Sequence, residues 1–220
     1  MEIEIPIFPL PDLVFFPHTL LPLHIFEPRY RRMIADCLDG ARRLAVVMLK
    51  PGWERDYEGV PPVYPVAGAG EIIQSERLAD GRYNIVLLGK YRIRIEEELA
   101  SGTLYRLVRA VILEDREPTA GPAALKPGLE NLVSAYLRLL ETLDRKDSRL
   151  QGLKEDLVSP GAVIDRIASV AVPDPRVRQR LLGTLDLQER LDLTSSIIFD
   201  LLLVVSGGTK GAPLPKERLN

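Results

Sequence analysis

The sequence predicts an α+β protein with strands in its first half and helices in its second. Ile3, Ile5 and Ile7 alternate with charged residues or proline, a period of two that is typical of a half-buried strand. After a Pro- and Gly-rich stretch at residues 114–128, the apolar residues recur at steps of three and four. That spacing places them along one face of a helix. The order of strands, then helices, indicates separate sheet and helical layers.

Further strands are expected along the first half. The apolar run at residues 44–49 predicts a strand buried on both faces. Asp80-Gly81 predicts a tight turn between strands at residues 71–76 and 82–88. Gly89 predicts another turn, followed by a strand in which Arg92 and Arg94 lie on the exposed face. Residues 105–113 form the last strand. One helix, at residues 27–38, interrupts the series and begins at Pro28.

The second half contains several helix start signals. One helix spans about four turns from Leu129. Ser159-Pro160 and Asp174-Pro175 each place a capping residue before a proline at the first helical position, and Asp186 caps the last helix. We therefore expect a strand-rich domain at residues 1–118, a helical domain at 119–206 and a disordered tail at 207–220.

Composition excludes several classes of protein. The 220 residues carry 29 basic and 31 acidic side chains, a net charge of −2, so no nucleic-acid partner is expected. The one cysteine, Cys37, cannot form an internal disulfide. The start of the chain is acidic and proline-rich, unlike a signal peptide, and no apolar run approaches the ~20 residues of a membrane span. These features predict a soluble, cytoplasmic protein with no membrane partner.

No catalytic, cofactor or metal motif is present in the sequence. Phosphate-binding glycine motifs and the nucleophile elbow are missing. His18 and His24 stand six residues apart, which matches no standard zinc site, so we interpret His18 as a turn residue and His24 as a residue in or near the core. Cys37 follows the apolar pattern of its helix and is interpreted as a core residue. A hydrolase that uses Cys37 or the histidines stays the weakest alternative.

The loop at residues 50–65 is the candidate binding segment. It is long and proline-rich, and it contains the only tryptophan of the chain. Long loops with aromatic side chains often bind a partner, although such side chains also fold back onto a sheet. The candidate peptide-binding residues are Trp53, Tyr57, Pro61, Pro62 and Tyr64.

Three stretches resemble the Lon substrate-binding domain, the N-terminal domain of the ATP-dependent Lon proteases. The most specific comprises Ile5-Pro-Ile-Phe-Pro-Leu-Pro-Asp12, Phe16-Pro17 and Leu21-Pro-Leu-His-Ile-Phe-Glu-Pro-Arg-Tyr30. Gly81-Arg-Tyr-Asn-Ile-Val-Leu-Leu-Gly-Lys-Tyr-Arg-Ile93 and Leu181-Leu-Gly-Thr-Leu-Asp-Leu-Gln-Glu-Arg-Leu191 support it. The resemblance spans roughly residues 3–205. It implies a PUA-like β pseudo-barrel with one helix, followed by a helical bundle.

The resemblance also implies a binding function. Lon proteases continue into ATPase and peptidase domains, and neither is present here, so we expect a standalone, non-catalytic module. Such a module would bind unfolded or apolar polypeptide, as an adaptor or regulator of proteolysis that acts with a protease or chaperone. The alternative is a small-ligand or RNA-binding PUA-like protein. The sequence does not specify the oligomeric state or the client.

Overall fold

The computed structural model describes residues 1–56, 59–144 and 159–207. Within these ranges the order of elements confirms the α+β class. The strands are β1 (Glu2–Leu10), β2 (Leu20–Ile25), β3 (Arg43–Met48), β4 (Val66–Arg77), β5 (Tyr83–Leu99) and β6 (Leu107–Leu113). The helices are α1 (Pro28–Asp39), α2 (Lys126–Thr142), α3 (Pro160–Ala171), α4 (Pro175–Gly183) and α5 (Leu187–Ser206). The predicted tail beyond residue 207 lies outside the described residues.

Five of the strands pair in a closed ring. β1 pairs in parallel with β3 and antiparallel with β6, while β3 pairs with β4 and β4 with β5. The second half of β5 pairs with β6, which completes the ring as a pseudo-barrel. β2 pairs with the first half of β5 and forms the edge of the sheet. Pro22 within β2 lacks an N–H group, a residue choice that discourages further strands from pairing at an edge.

The prediction of a turn at Gly89 is wrong, because β5 is one strand that continues through this residue. Gly89 lies opposite Gly70, where the register of the β4–β5 pair shifts. A Cβ atom at Gly89 would collide with the carbonyl oxygen of Phe16, and one at Gly68 with that of Phe15. Both glycines therefore mark the close approach of the segment before β2 to the sheet, rather than a reversal of the chain.

Three other local predictions in the first half are confirmed. Gly81 has a φ of +81° and its N–H donates to the carbonyl of Leu78 at 2.9 Å, so the turn between β4 and β5 forms where expected. α1 begins at Pro28. β3 is buried on both faces: Leu44 and Val46 pack with the α1 side chains, while Ala45 and Val47 pack in a second apolar cluster.

α4 and α5 begin at the predicted capping residues. α2 begins at Lys126, three residues before the predicted start, and Ser159 precedes α3 as predicted but its side chain makes no capping hydrogen bond. The Asp174 carboxylate accepts from the N–H of Arg176 at 2.7 Å, and Asp186 accepts from the N–H of Glu189 at 3.0 Å. α2, α3 and α5 share an apolar core. A separate cluster joins the helices to the barrel; it contains Phe16, Ala168, Val172, Leu181 and Leu182.

A buried group of charges also crosses the contact between barrel and helices. Arg92 of β5, predicted to be exposed, is only 3% exposed and is buried in this contact. Its guanidinium donates to Asp165 Oδ1 of α3 at 2.6 Å and to the carbonyl of Leu182 at 2.9 Å. Arg190 of α5 donates to Asp115 at 2.6 Å, and Asp115 lies 3.5 Å from Arg92. These four charged side chains form what we call the interface ion cluster.

The ion cluster contains two positive and two negative side chains. Arg190 Nε also lies 3.5 Å from Asp165 Oδ1. Burial raises the pKa of the Asp165 carboxyl, although the neighbouring guanidinium groups of Arg92 and Arg190 oppose the shift. The helices and the barrel are therefore in direct buried contact. The domain boundary near residue 118 stays a prediction.

Candidate functional site

A groove of about 600 Å³ lies where three segments of the barrel meet. These are the start of α1 at residues 27–30, the end of the loop after β3 at residues 59–61, and the turn between β5 and β6 at residues 98–106. We call it the hairpin groove. Its volume is in the range of sites that bind small molecules or a few residues of a peptide.

Apolar side chains make up much of the lining of the hairpin groove. Leu104 is 71% exposed and Val60 is 60% exposed, which is unusual for large apolar residues so close together. Leu104 projects from a turn in which Gly102 has a φ of +67°. The other apolar lining residues are Pro9, Pro28, Tyr30, Leu49, Pro61, Leu99 and Tyr105.

The charged residues of the groove form two pairs of opposite charge. Arg29 Nε donates to Glu27 at 3.0 Å. Arg106 makes two parallel hydrogen bonds of 2.8 Å with the Glu98 carboxylate. The charged side chains that line the groove are these two pairs, so it carries no net charge. An anionic ligand such as a phosphate would meet guanidinium groups already engaged with carboxylates.

Tyr105 attaches the β5–β6 turn to α1. Its hydroxyl donates to Asp36 Oδ2 at 3.0 Å. Burial and this hydrogen bond raise the pKa of Tyr105 to about 12, so the hydroxyl stays protonated and donates at physiological pH. On the neighbouring wall, the Tyr30 ring packs against Phe8 with ring centroids 4.4 Å apart. These contacts attach α1 to the β5–β6 turn and to β1 on this side of the groove.

Of the four candidate loop residues that the structure describes, one contributes to the groove. Pro61 is buried and lines it. Trp53 is half-buried in a short 3-10 turn. Pro62 and Tyr64 lie at the end of the loop and bond to its start: the N–H of Lys50 donates to the carbonyl of Pro62, and the N–H of Tyr64 donates to the carbonyl of Met48. Tyr57 lies outside the described residues.

Sequence reasoning missed the part of the groove formed by residues 98–106. The signal available was Leu104, an apolar residue directly after the polar turn sequence Ser101-Gly102-Thr103. A single apolar residue in a turn is common on protein surfaces, so this signal is weak without the fold.

A second concave surface, also about 600 Å³, lies over β2, β4 and β5. His24, predicted in or near the core, is instead exposed here, and this prediction is wrong. His24 Nδ1 lies 2.8 Å from Asn84 Oδ1, and the Asn84 amide donates to Glu76 at 3.1 Å. Pro22 on β2 is exposed and lines this surface. This surface combines polar pairs across the strands with apolar lining residues: Pro22, Leu23, Ile85 and Val86.

Cys37 is placed as a core residue, as expected, and not as a nucleophile. Its thiol is 7% exposed and donates to the carbonyl of Arg43 at 3.3 Å. Burial, with the nearby Asp36 charge, raises the pKa of Cys37 to about 12, so the reactive thiolate is strongly disfavoured. In the parts of the chain that the structure describes, no cluster of three His, Cys, Asp or Glu side chains could hold a metal ion.

The fold and groove define a β pseudo-barrel domain with a helical part and an uncharged groove on one side of the barrel. The chain belongs to the ATP-dependent protease La (LON) substrate-binding domain family, whose model matches residues 4–199. This confirms the predicted family. None of the helices among the described residues is both long and apolar enough to cross a membrane.

Individual relatives agree with this assignment. A Lon protease of Desulfosudis oleivorans is 23% identical over 216 residues, covering 98% of this chain and 26% of the relative. The chain therefore spans about a quarter of the length of this relative. The N-terminal domain of Mycobacterium avium complex Lon protease has a TM-score of 0.64 at 17% identity, covering 90% of this chain and 98% of that domain. A Lon N-terminal domain protein from Xanthomonas campestris has a TM-score of 0.59 at 19% identity, with 86% and 95% covered. At these identities the structural likeness supports the fold.

Proposed function

We propose that this chain is a non-catalytic module that binds unfolded, apolar polypeptide segments in the hairpin groove. The family assignment to a substrate-binding domain supports a polypeptide as the ligand class. The observation that carries the choice of site is the exposure of Leu104 and Val60 beside charged pairs that cancel. The module would serve in the cytoplasm as an adaptor or regulator of proteolysis, together with a protease or chaperone.

An extended, uncharged segment is the occupant that fits this groove. Clients in an unfolded state expose apolar side chains that a folded protein buries, and covering one leucine-sized side chain contributes about 1.5–3 kcal/mol. The paired charges offer no net attraction to acidic or basic segments. An RNA ligand would instead require basic groups free to contact phosphates, and Arg29 and Arg106 are both placed against carboxylates.

The test compares Leu104→Glu with Leu203→Glu. Leu203 on α5 is 70% exposed, nearly the same as Leu104, and lies in the helical part. The probe is a reduced and alkylated model protein without tryptophan, titrated against this protein while the fluorescence of Trp53 and the anisotropy of a dye on the probe are recorded. Leu104→Glu should weaken binding about tenfold, the loss expected for roughly 1.4 kcal/mol. Leu203→Glu should change it less than twofold.

Pro22→Glu examines the second concave surface, which Pro22 lines, in the same assay. If this variant weakens binding while Leu104→Glu does not, the hairpin groove is the wrong site. Equal binding of the native and the unfolded probe would reject recognition of unfolded chains. Binding of an oligonucleotide that weakens steeply above ~100 mM salt would favour the RNA alternative, since phosphate contacts make affinity depend on salt.

A further inference from the structure

The side chain of Arg106 joins two walls of the hairpin groove. Its two hydrogen bonds to Glu98 fix the plane of the guanidinium on β5. The remaining terminal nitrogen, Nη1, donates to the carbonyl of Pro61 at 2.8 Å. The residue itself is attached to the barrel, because its carbonyl accepts from the N–H of Ile7 at 3.0 Å. Only 16% of the side chain is exposed.

We infer that Arg106 is the positioning residue of the hairpin groove: it holds residues 59–61 against the β5–β6 turn and thereby sets the affinity for a client. The part of this inference that concerns client affinity rests on the proposed function. The carbonyl of buried Pro61 faces a donor that is pre-oriented by the carboxylate of Glu98. A planar, five-donor guanidinium can serve both partners at once, which the single ammonium of lysine cannot do in the same geometry.

The neighbouring pair Arg109–Glu97 offers a matched control. It joins β6 to β5 through a bond of 2.6 Å, while Arg106 stands directly before β6. Its side chains are 43% and 58% exposed, and neither lines the groove. A substitution at Arg109 therefore changes an arginine–glutamate pair between neighbouring strands at a position outside the groove lining.

The experiment compares Arg106→Lys with Arg109→Lys by amide hydrogen exchange and by client binding. The N–H of Lys50 donates to the carbonyl of Pro62, directly beside the residue that Arg106 holds. Arg106→Lys should speed exchange of the Lys50 amide about tenfold. It should leave unchanged the amide of Leu78, which bonds Arg82 in a distant turn. The same variant should weaken binding of the unfolded, tryptophan-free probe about fivefold, and Arg109→Lys should alter neither quantity by more than twofold.

The outcomes separate this inference from the proposed function. Unchanged exchange at Lys50 in Arg106→Lys would overturn the inference. Faster exchange with unaltered probe binding would also overturn it, provided that Leu104→Glu still weakens binding. If Leu104→Glu leaves binding unaltered, the groove is rejected as the client site. The exchange data then decide alone whether Arg106 holds the loop.

Discussion

Replacing Arg92 with leucine should strongly destabilise the protein through the interface ion cluster. The substitution removes the donor to Asp165 Oδ1 and to the carbonyl of Leu182. It leaves Asp165, which is 1% exposed, with Arg190 Nε at 3.5 Å as its remaining close cationic group. Removing one partner of a buried ion pair costs about 3–5 kcal/mol, because the other charge stays buried without compensation.

Urea and thermal unfolding monitored by circular dichroism would measure this loss. For a chain of this length, each kcal/mol lowers the melting temperature by about 2–4 °C, so the expected decrease is roughly 6–20 °C. Arg109→Leu is the control; it breaks a largely exposed pair and should cost less than about 1 kcal/mol. The double variant Arg92→Leu/Asp165→Leu removes both charges and should recover a substantial part of the loss.

The loss of unfolding free energy caused by Arg92→Leu should also depend on pH. Arg92 lowers the pKa of Asp165 in opposition to burial, so its removal raises that pKa further. A carboxyl group with a raised pKa binds protons more readily in the folded than in the unfolded state, and stability therefore falls as the pH rises. The difference in unfolding free energy between the variant and the parent protein should be smaller at pH 5 than at pH 8. A loss below about 1 kcal/mol, or a double variant no more stable than Arg92→Leu, would refute the reasoning.

Two further predictions concern the core. Cys37, with a pKa of about 12, should react with a thiol reagent at pH 8 only when the protein unfolds. The reaction is monitored by absorbance, and rapid reaction of the native protein would contradict the burial of Cys37. Gly68→Ala should lower the free energy of unfolding by about 1–3 kcal/mol or more, because the new Cβ meets the carbonyl oxygen of Phe15. Gly183→Ala is the control, because no atom lies within 4 Å of the position that the new methyl group would take. This substitution should be neutral or slightly stabilising. Equal effects of the two substitutions on urea unfolding would disprove the steric account.

Local signals in the sequence were sufficient for most elements. The turn at Gly81 and the helix starts at Asp174 and Asp186 depend on residues within four positions of each other, so the sequence predicts them directly. The strand β2 was missed because Pro22 interrupts its pattern. Its place at the edge of the sheet, where proline is tolerated, becomes visible only once β5 is its partner.

Long-range partners account for the remaining errors. The alternation around Arg92 is the same as that around Arg94, yet Arg92 is buried because Asp165 lies against it from a helix 73 residues further along the chain. The hairpin groove combines residues near positions 28, 60 and 104, and no spacing in the sequence relates them. Pro61 of the predicted loop lines this groove, and the peptide-binding roles of Trp53, Tyr57, Pro61, Pro62 and Tyr64 all stay predictions.

The partners of β1 have a consequence for how the protein is made. The first strand pairs on one side with β3 and on the other with β6, which ends at Leu113. At a synthesis rate of about 5–20 residues per second, β1 waits roughly 5–20 s after leaving the ribosome before β6 exists. During that interval one side of β1 has no strand to pair with, and its Ile5 and Ile7 lack the neighbours that bury them. During that interval the newly made chain is thus itself an unfolded segment with exposed apolar side chains.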